Sequence, residues 1–202
     1  MNAPGPRWQR RPEARRDELL DAARALLQER PLAEIKVSDI TGAAGAAKGT
    51  FYSYFATRND LFAALQERFL EGLIGAMEAA RATAPADDWL AGQEAAVAAA
   101  IAYMYADQAM LDVWERDKPP HGEPDVFAIG TARIAATLAD DIAAEVAAGR
   151  LVCDDPDAAA QMIVHAVDGA VSADMQAAPP DGALGRERVT RAALAMMRGL
   201  LR

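Results

Sequence analysis

Lys48, Thr50, Tyr52 and Tyr54 are the side chains of this sequence whose chemistry is easiest to interpret. Ammonium and hydroxyl groups donate hydrogen bonds to phosphate oxygens, and hydroxyl and phenol groups also suit the edges of bases. All four point outward if the stretch is a short helix whose phenylalanines face inward. The pattern predicts a surface that contacts nucleic acid. The alternative is that Tyr52 and Tyr54 are ordinary surface or packing aromatics.

Two short helices joined by a turn are predicted to position these side chains, over residues 37–44 and 48–54. Gly45 is expected to end the first helix, since glycine readily adopts the positive φ found beyond a helix C-terminus. Such a pair is a helix-turn-helix unit, in which the second helix lies in the major groove of DNA. The residues predicted to pack inward are Val37, Ile40, Ala44, Phe51 and Phe55.

The rest of the sequence is also predicted to be helical, which makes the fold class all-α with roughly nine helices. A first helix over residues 13–29 carries apolar residues at helical spacing and ends before Pro31. Thr57 and Asp60 resemble a capping box at the start of the fourth helix, which extends to about Met77. The later helices are predicted over residues 87–105, 108–116, 125–148, 156–175 and 185–201.

The charge is distributed unevenly along the chain. Its net charge is −9, which at first argues against nucleic-acid binding. Residues 1–60, however, carry ten Lys/Arg and eight Asp/Glu, whereas the remainder carries eleven and twenty-two. A mildly basic N-terminal segment on an acidic body is compatible with a protein that contacts DNA through one region only.

The stretch from Ala44 to Phe55 resembles the signature of the TetR (tetracycline-repressor) family, Ala-Gly-x-x-Lys-Gly-Thr-Phe-Tyr-x-Tyr-Phe. Gly149-Arg150-Leu151 and the following residues 155–159 are similar to the family's entry into its first dimerisation helix. The sequence departs from the family pattern at Lys36, where threonine is common, at Ala47, where serine is common, and at Pro31, where glycine is usual. Losing a capping hydroxyl typically costs about 0.5–2 kcal/mol, so a weaker start of the recognition helix is expected at Ala47.

The resemblance implies a three-helix DNA-binding domain followed by a helical domain that binds a small-molecule effector and forms a homodimer. The predicted domains are a flexible basic tail over residues 1–12, the DNA-binding domain over 13–60, and the effector-binding and dimerisation domain over 61–202. The expected partner is a double-stranded DNA operator, and the expected activity is that of a repressor which the effector releases. Arg58 is expected either to touch phosphate or to be solvated, and the basic tail either to reach a minor groove or to be inert.

The candidate site residues fall into three groups. Those assigned to DNA binding are Lys36, Lys48, Gly49, Thr50, Tyr52, Tyr54 and Arg58. Those assigned to a largely apolar effector pocket are Met77, Trp89, Tyr103, Met104, Met110, Trp114 and Phe127, with residues 118–124 expected at its entrance. Those assigned to the dimer interface are Met162, Ile163, Ala166, Val167, Ala170, Val189, Ala193, Met196, Met197 and Leu200.

Other functional classes find little support in the sequence. No nucleophile–base pair is visible, so no enzyme, cofactor or metal site is predicted, and His121 and His165 have no ligand partners at metal spacing. Cys153 is the only cysteine, which suits a reducing cytoplasm, and no membrane segment or signal peptide is expected. The alternative function is a helical small-molecule-binding or protein-interaction module whose helix-turn-helix is vestigial.

Overall fold

The structure, a computed structural model, describes residues 12–111, 125–177 and 184–201. The chain divides into two compact units, Met1–Glu67 and Arg68–Arg202, and the division falls inside one helix. The described residues are helical or lie in connecting turns, with no strand among them, which confirms the all-α fold class. No helix in these ranges is long and apolar enough to cross a membrane.

The first unit contains α1 (Pro12–Glu29), a 3-10 turn (Leu32–Glu34), α2 (Val37–Ala43), α3 (Lys48–Tyr52) and the start of α4 (Arg58–Arg81). Helix α2 packs against both α1 and α3. Each short helix turns one apolar face toward the others. The side chains on these faces form the core of this small unit and are almost fully buried. These core residues are Leu19, Leu20, Ile35, Ile40, Phe51, Leu61 and Leu65.

Helix α4 starts at a complete capping box. The Thr57 hydroxyl accepts from the Asp60 backbone N–H at 3.1 Å, and Asp60 Oδ2 accepts from the Thr57 N–H at 2.8 Å. Two otherwise unpaired donors of the first turn are therefore satisfied reciprocally. The capping box predicted from the sequence is confirmed.

The second unit comprises the rest of α4 with α5 (Trp89–Ala106), a helical stretch at 108–111, α6 (Val126–Ala147), α7 (Pro156–Gln176) and α8 (Arg186–Leu200). The side chains of Asp88, Asp125 and Asp155 each accept a backbone N–H at the start of α5, α6 and α7. Helix α7 packs on α6 and on α8, while α8 also packs on α5. This arrangement buries Ile101, Ile142, Ile163 and Met197 almost completely.

Candidate nucleic-acid interface and effector cavity

The turn between α2 and α3 has the geometry that its glycine predicts. Gly45 has φ +58°, and its N–H donates to the Gly42 carbonyl at 3.2 Å. The Ala46 N–H donates to the Thr41 carbonyl at 2.8 Å, which completes a Schellman motif. This pair of hydrogen bonds fixes the direction in which the chain enters α3.

Helix α3 has one buried and one exposed side. Phe51 is fully buried and its ring centroid lies 5.6 Å from that of Phe55, which is also buried. The rings of Tyr52 and Phe51 form a T-shaped pair with centroids 5.3 Å apart, yet Tyr52 remains 51% exposed. The predicted inward packing of the two phenylalanines is confirmed, and the Tyr52 phenol is left in a position to contact a ligand.

The other residues assigned to DNA lie around α3 with different exposure. Lys48 and Gly49 are exposed in its first turn, whereas Thr50 is half-buried. The helix ends at Tyr52, two residues earlier than predicted, because Ser53 is its C-cap and its Oγ donates to the Gly49 carbonyl at 3.1 Å. Tyr54 therefore follows the helix and is half-buried.

Lys36 and Ala47, which depart from the common family pattern, are the N-cap residues of α2 and α3. Ala47 caps α3 without a side-chain hydrogen bond. At α2, Asp39 Oδ2 accepts the Lys36 backbone N–H at 3.0 Å, but a lysine ammonium cannot accept a bond in return. This backbone hydrogen bond lowers the pKa of Asp39, and Arg30, 3.2 Å from the same carboxylate, lowers it further. Lys36 is exposed and its ammonium group is not needed for the cap.

Arg58 has a structural role that the sequence did not indicate. Its Nη1 donates to the carbonyl oxygens of Ile35 at 2.9 Å and Leu32 at 3.2 Å. The guanidinium thereby joins the start of α4 to the turn before α2, and the side chain is half-buried rather than simply solvated. Arg58 is better explained as a fixed support of this unit than as a phosphate ligand.

The second unit contains a partly open cavity of about 370 Å³. Of the seven residues assigned to an effector pocket, Met77, Met104 and Phe127 lie in its wall. Further apolar walls come from neighbouring turns of α4 to α7, so the lining is largely apolar as expected. These additional wall residues include Phe69, Leu70, Leu73, Ile74, Val97, Ala100, Ile134, Leu138, Ile163, Val164 and Val167.

The other residues assigned to the pocket do not line this cavity or fall outside the described residues. Tyr103 packs on Phe69 with ring centroids 5.1 Å apart, and its hydroxyl occupies the space that a side chain at Gly72 would need. Met110 is 1% exposed and belongs to the core. Trp89 lies at a separate surface depression that Arg150 also lines. Trp114 and the 118–124 segment lie outside the described residues.

The sequence did not predict the polar residues of the cavity wall. Gln93 is 3% exposed, and its Oε1 accepts a hydrogen bond from Arg81 Nη2 at 3.1 Å. Thr131, also buried, lines the cavity from α6. Trp89, Gln93 and Val97 are spaced by four residues and therefore share one face of the helix. The only sequence feature that could have indicated the polar wall was this single polar residue between two apolar ones.

The ten residues assigned to the dimer interface differ in their exposure. Five of the ten assigned residues are buried within their own unit and are not available to a second copy: Ile163, Val167, Val189, Ala193 and Met197. Their neighbours on the outer side remain accessible, with Met162 57% exposed and Ala170 also exposed. The half-exposed ones are Ala166, Met196 and Leu200. Only these five accessible residues, which define the outer side of α7 and α8, remain available for the predicted interface.

No group of three or more His, Cys, Asp and Glu comes together in the described ranges in a way that could hold a metal ion. Cys153 is a free, half-buried thiol.

Two sequence families match the two parts of the chain. Residues 19–65 match the bacterial regulatory proteins of the tetR family. Residues 96–200 match the C-terminal domain of AefR-like transcriptional repressors. The second match spans the helices that form most of the cavity.

Individual relatives agree with these matches. The chain is 41% identical over 54 residues to the uncharacterized HTH-type transcriptional regulator YvdT of Bacillus subtilis (strain 168), covering 27% of this chain and 28% of that protein. A TetR transcription regulator from Haloarcula marismortui ATCC 43049 has a similar fold, with a TM-score of 0.76 and 15% identity over 94% of this chain and all (100%) of that one. SmeT, the repressor of the Stenotrophomonas maltophilia multidrug efflux pump SmeDEF, gives a TM-score of 0.73 with 19% identity over 93% and 90% of the two chains. The chain belongs to the TetR family of bacterial regulatory proteins.

Proposed function

We propose that this regulator is a cytoplasmic, homodimeric repressor that binds a near-palindromic operator and leaves it when a small molecule enters the cavity. In this proposal the protein recognises and releases DNA and performs no catalysis. The observation that carries the proposal is the contrast within α3 between Phe51, fully buried, and Tyr52, half-exposed beside it. A helix held so firmly on one side can present its other side to a groove without losing its own packing.

The proposed DNA surface divides into two kinds of contact. Tyr52 and Thr50 carry hydroxyl groups that can donate to and accept from base edges, which gives sequence discrimination. Lys48 and Lys36 are exposed cations at the starts of α3 and α2, where they suit phosphates and give affinity without discrimination. Arg58 is left out of this surface because its Nη1 already binds two backbone carbonyls.

Dimerisation would supply the second half of the operator. In a twofold dimer the two recognition helices lie about one turn of DNA apart, ~34 Å, so the operator should consist of two inverted half-sites. The outer side of α7 and α8 supports such a dimer, because its accessible surface carries small or flexible side chains, namely those of Met162, Ala166 and Ala170. Small residues allow two helices to approach closely.

The cavity supports the release step. Its volume of about 370 Å³ lies near the lower end of the range of roughly 300–1,000 Å³ that is typical of small-molecule sites. Helix α4 carries both the Thr57–Asp60 capping box and the cavity residues Leu73 and Met77. A molecule that favours one arrangement of the dimer over another would shift the population away from the DNA-bound form.

Selection of DNA from a random double-stranded library with the full-length protein tests this proposal. The expected result is enrichment of an inverted repeat whose half-sites are centred about one helical turn apart, bound by a dimer as measured by light scattering. Binding at two salt concentrations separates specific from general affinity, since phosphate contacts weaken steeply with salt. Lack of enrichment, or enrichment of a single half-site bound by a monomer, would contradict the proposal.

A further inference from the structure

The polar end of the cavity has hydrogen-bond donors that the protein itself does not satisfy. Within the described part of the chain, Gln93 Nε2 and Arg81 Nε are buried and have no hydrogen-bond partner. Both residues line the cavity. A buried donor without an acceptor destabilises the protein, and a bound molecule that supplies the acceptor removes this penalty.

The orientation of the Gln93 amide is fixed by Arg81. Arg81 Nη2 donates to Gln93 Oε1 at 3.1 Å, which places the carbonyl of the amide toward the guanidinium and leaves the NH₂ group as the remaining polar function. Gly92 leaves room for this approach, since a Cβ there would make a tight contact of 3.3 Å with Arg81 Cγ. Gln93 is therefore held as a donor, and the ligand atom that it requires is an acceptor.

The charges around the cavity argue for an uncharged acceptor. The lining contains two basic residues, Arg81 and Arg133, and two acidic residues, Glu78 and Asp168. Arg81 also has Asp141 Oδ2 3.8 Å from its Nη1. With its cations already balanced, the wall offers no net positive charge that would offset the cost of desolvating an anion.

We propose that the effector is a compact, neutral molecule with an apolar body and a carbonyl-type oxygen that accepts a hydrogen bond from Gln93 Nε2. The apolar body would contact Phe69, Met77 and Phe127, and Arg81 would act as the positioning residue that keeps the amide turned to donate. This inference rests on the proposed function of the cavity as an effector site. It adds the chemical class of the effector and the residue that recognises it.

Three naphthalene derivatives of similar size separate the possibilities. 2-Acetonaphthone supplies a neutral acceptor, 2-isopropylnaphthalene has nearly the same shape without the oxygen, and 2-naphthoate supplies an anion. We expect the full-length protein to bind the ketone roughly 5- to 150-fold more tightly than the hydrocarbon, the range for one buried donor that is satisfied or left unpaired. Equal affinities, failure of both neutral molecules to bind, or tighter binding of 2-naphthoate would overturn the proposal.

Variants of the amide and its partner test the assignment of the donor. Gln93→Leu should remove the preference for the ketone while hydrocarbon binding persists, and Arg81→Met should reduce the preference because the amide can then rotate. Gln108→Leu makes the same exchange at an exposed position that does not line the cavity, and it should retain the preference. If Gln93→Leu still prefers the ketone, Gln93 is not the donor.

A spectroscopic measurement supports the same distinction without relying on affinity. The carbonyl stretch of bound 2-acetonaphthone should lie at lower frequency in the wild type than in Gln93→Leu, since a hydrogen bond weakens the C=O bond. An unchanged frequency would contradict the contact. DNA selection without any added ligand is unaffected by these outcomes, so failure of this inference can be distinguished from failure of the proposed repressor function.

Discussion

The hydroxyl of Tyr105 donates to Oδ2 of Asp174 at 2.5 Å and joins the end of α5 to the end of α7. The same carboxylate accepts the backbone N–H of Leu184 and, at 3.1 Å, that of Gly185, directly before α8. Asp174 is 7% exposed, so one buried carboxylate on α7 collects three donors from two other segments of the second unit. A neutral side chain in its place could not accept all of them.

Replacing Asp174 by Asn should destabilise the protein by about 1–3 kcal/mol, because the amide NH₂ would face other donors and leave them unpaired. Tyr105→Phe removes only one donor and should cost about 0.5–1.5 kcal/mol. Chemical denaturation followed by circular dichroism measures both values. Asp140→Asn is the control, since Asp140 is exposed on α6 and its change should stay within about 0.5 kcal/mol. An equally small effect at Asp174 would show that the network does not hold the helices together.

The same network predicts a pH dependence. The hydrogen bond from Tyr105 lowers the pKa of Asp174 from its ordinary value of 3.8, although burial acts in the opposite direction. A group whose pKa is depressed in the folded state stabilises it above the unfolded-state value and loses this contribution as the pH falls through the folded-state value. The stability difference between wild type and Asp174→Asn should therefore be largest near neutral pH and shrink below about pH 4. Denaturation midpoints measured from pH 7 to pH 3 test this, and a difference that grows toward low pH would contradict it.

Gly45 and Gly42 provide a matched pair on opposite sides of one helix end. Gly45→Ala should destabilise the first unit by about 1–2 kcal/mol, because its φ of +58° is unfavourable for a residue with a Cβ. Gly42→Ala lies inside α2, where an added Cβ meets nothing within 4 Å, and should stabilise it by about 0.5–1 kcal/mol. Thermal melts of the two variants should shift in opposite directions. Equal shifts would mean that the turn is not constrained as described.

The sequence predicted the features that depend on near neighbours along the chain. Gly45 and the Thr57–Asp60 pair could be recognised because their hydrogen bonds join residues a few positions apart. Gln93 and Arg81 could not be assigned, because their contact depends on how α4 and α5 pack. The burial of Ile163 within its own unit could not be predicted, because the alanine-rich helix α7 has apolar residues on several faces and only packing shows which are covered.

The corrected dimer surface makes a prediction of its own. Ala170→Arg should yield monomers, because it places a long cation on the exposed outer side of α7. Val167 is unsuitable for this test, since it is 8% exposed and lines the cavity, so an arginine there would disrupt the core. Ala143→Arg makes the same exchange at an exposed position of α6 and should leave the dimer intact. Light scattering distinguishes the two, and a dimeric Ala170→Arg variant would place the interface elsewhere.

Tyr52 and Lys48 should contribute differently to operator binding. Tyr52→Ala should weaken binding to the selected operator by about 1–3 kcal/mol, the range for one good base contact, and affect unrelated DNA little. The fold should survive, because Phe51 and Phe55 provide the buried side of α3 and Tyr52 is half-exposed.

Lys48→Ala should weaken binding to all sequences and make the dependence of log affinity on log salt shallower by about one unit. Ser53→Ala, at the C-cap of α3, is a control that removes an exposed hydroxyl already bonded to the Gly49 carbonyl. Mobility shifts at several salt concentrations separate these effects, and unchanged operator affinity in Tyr52→Ala would show that this face of α3 does not read the DNA.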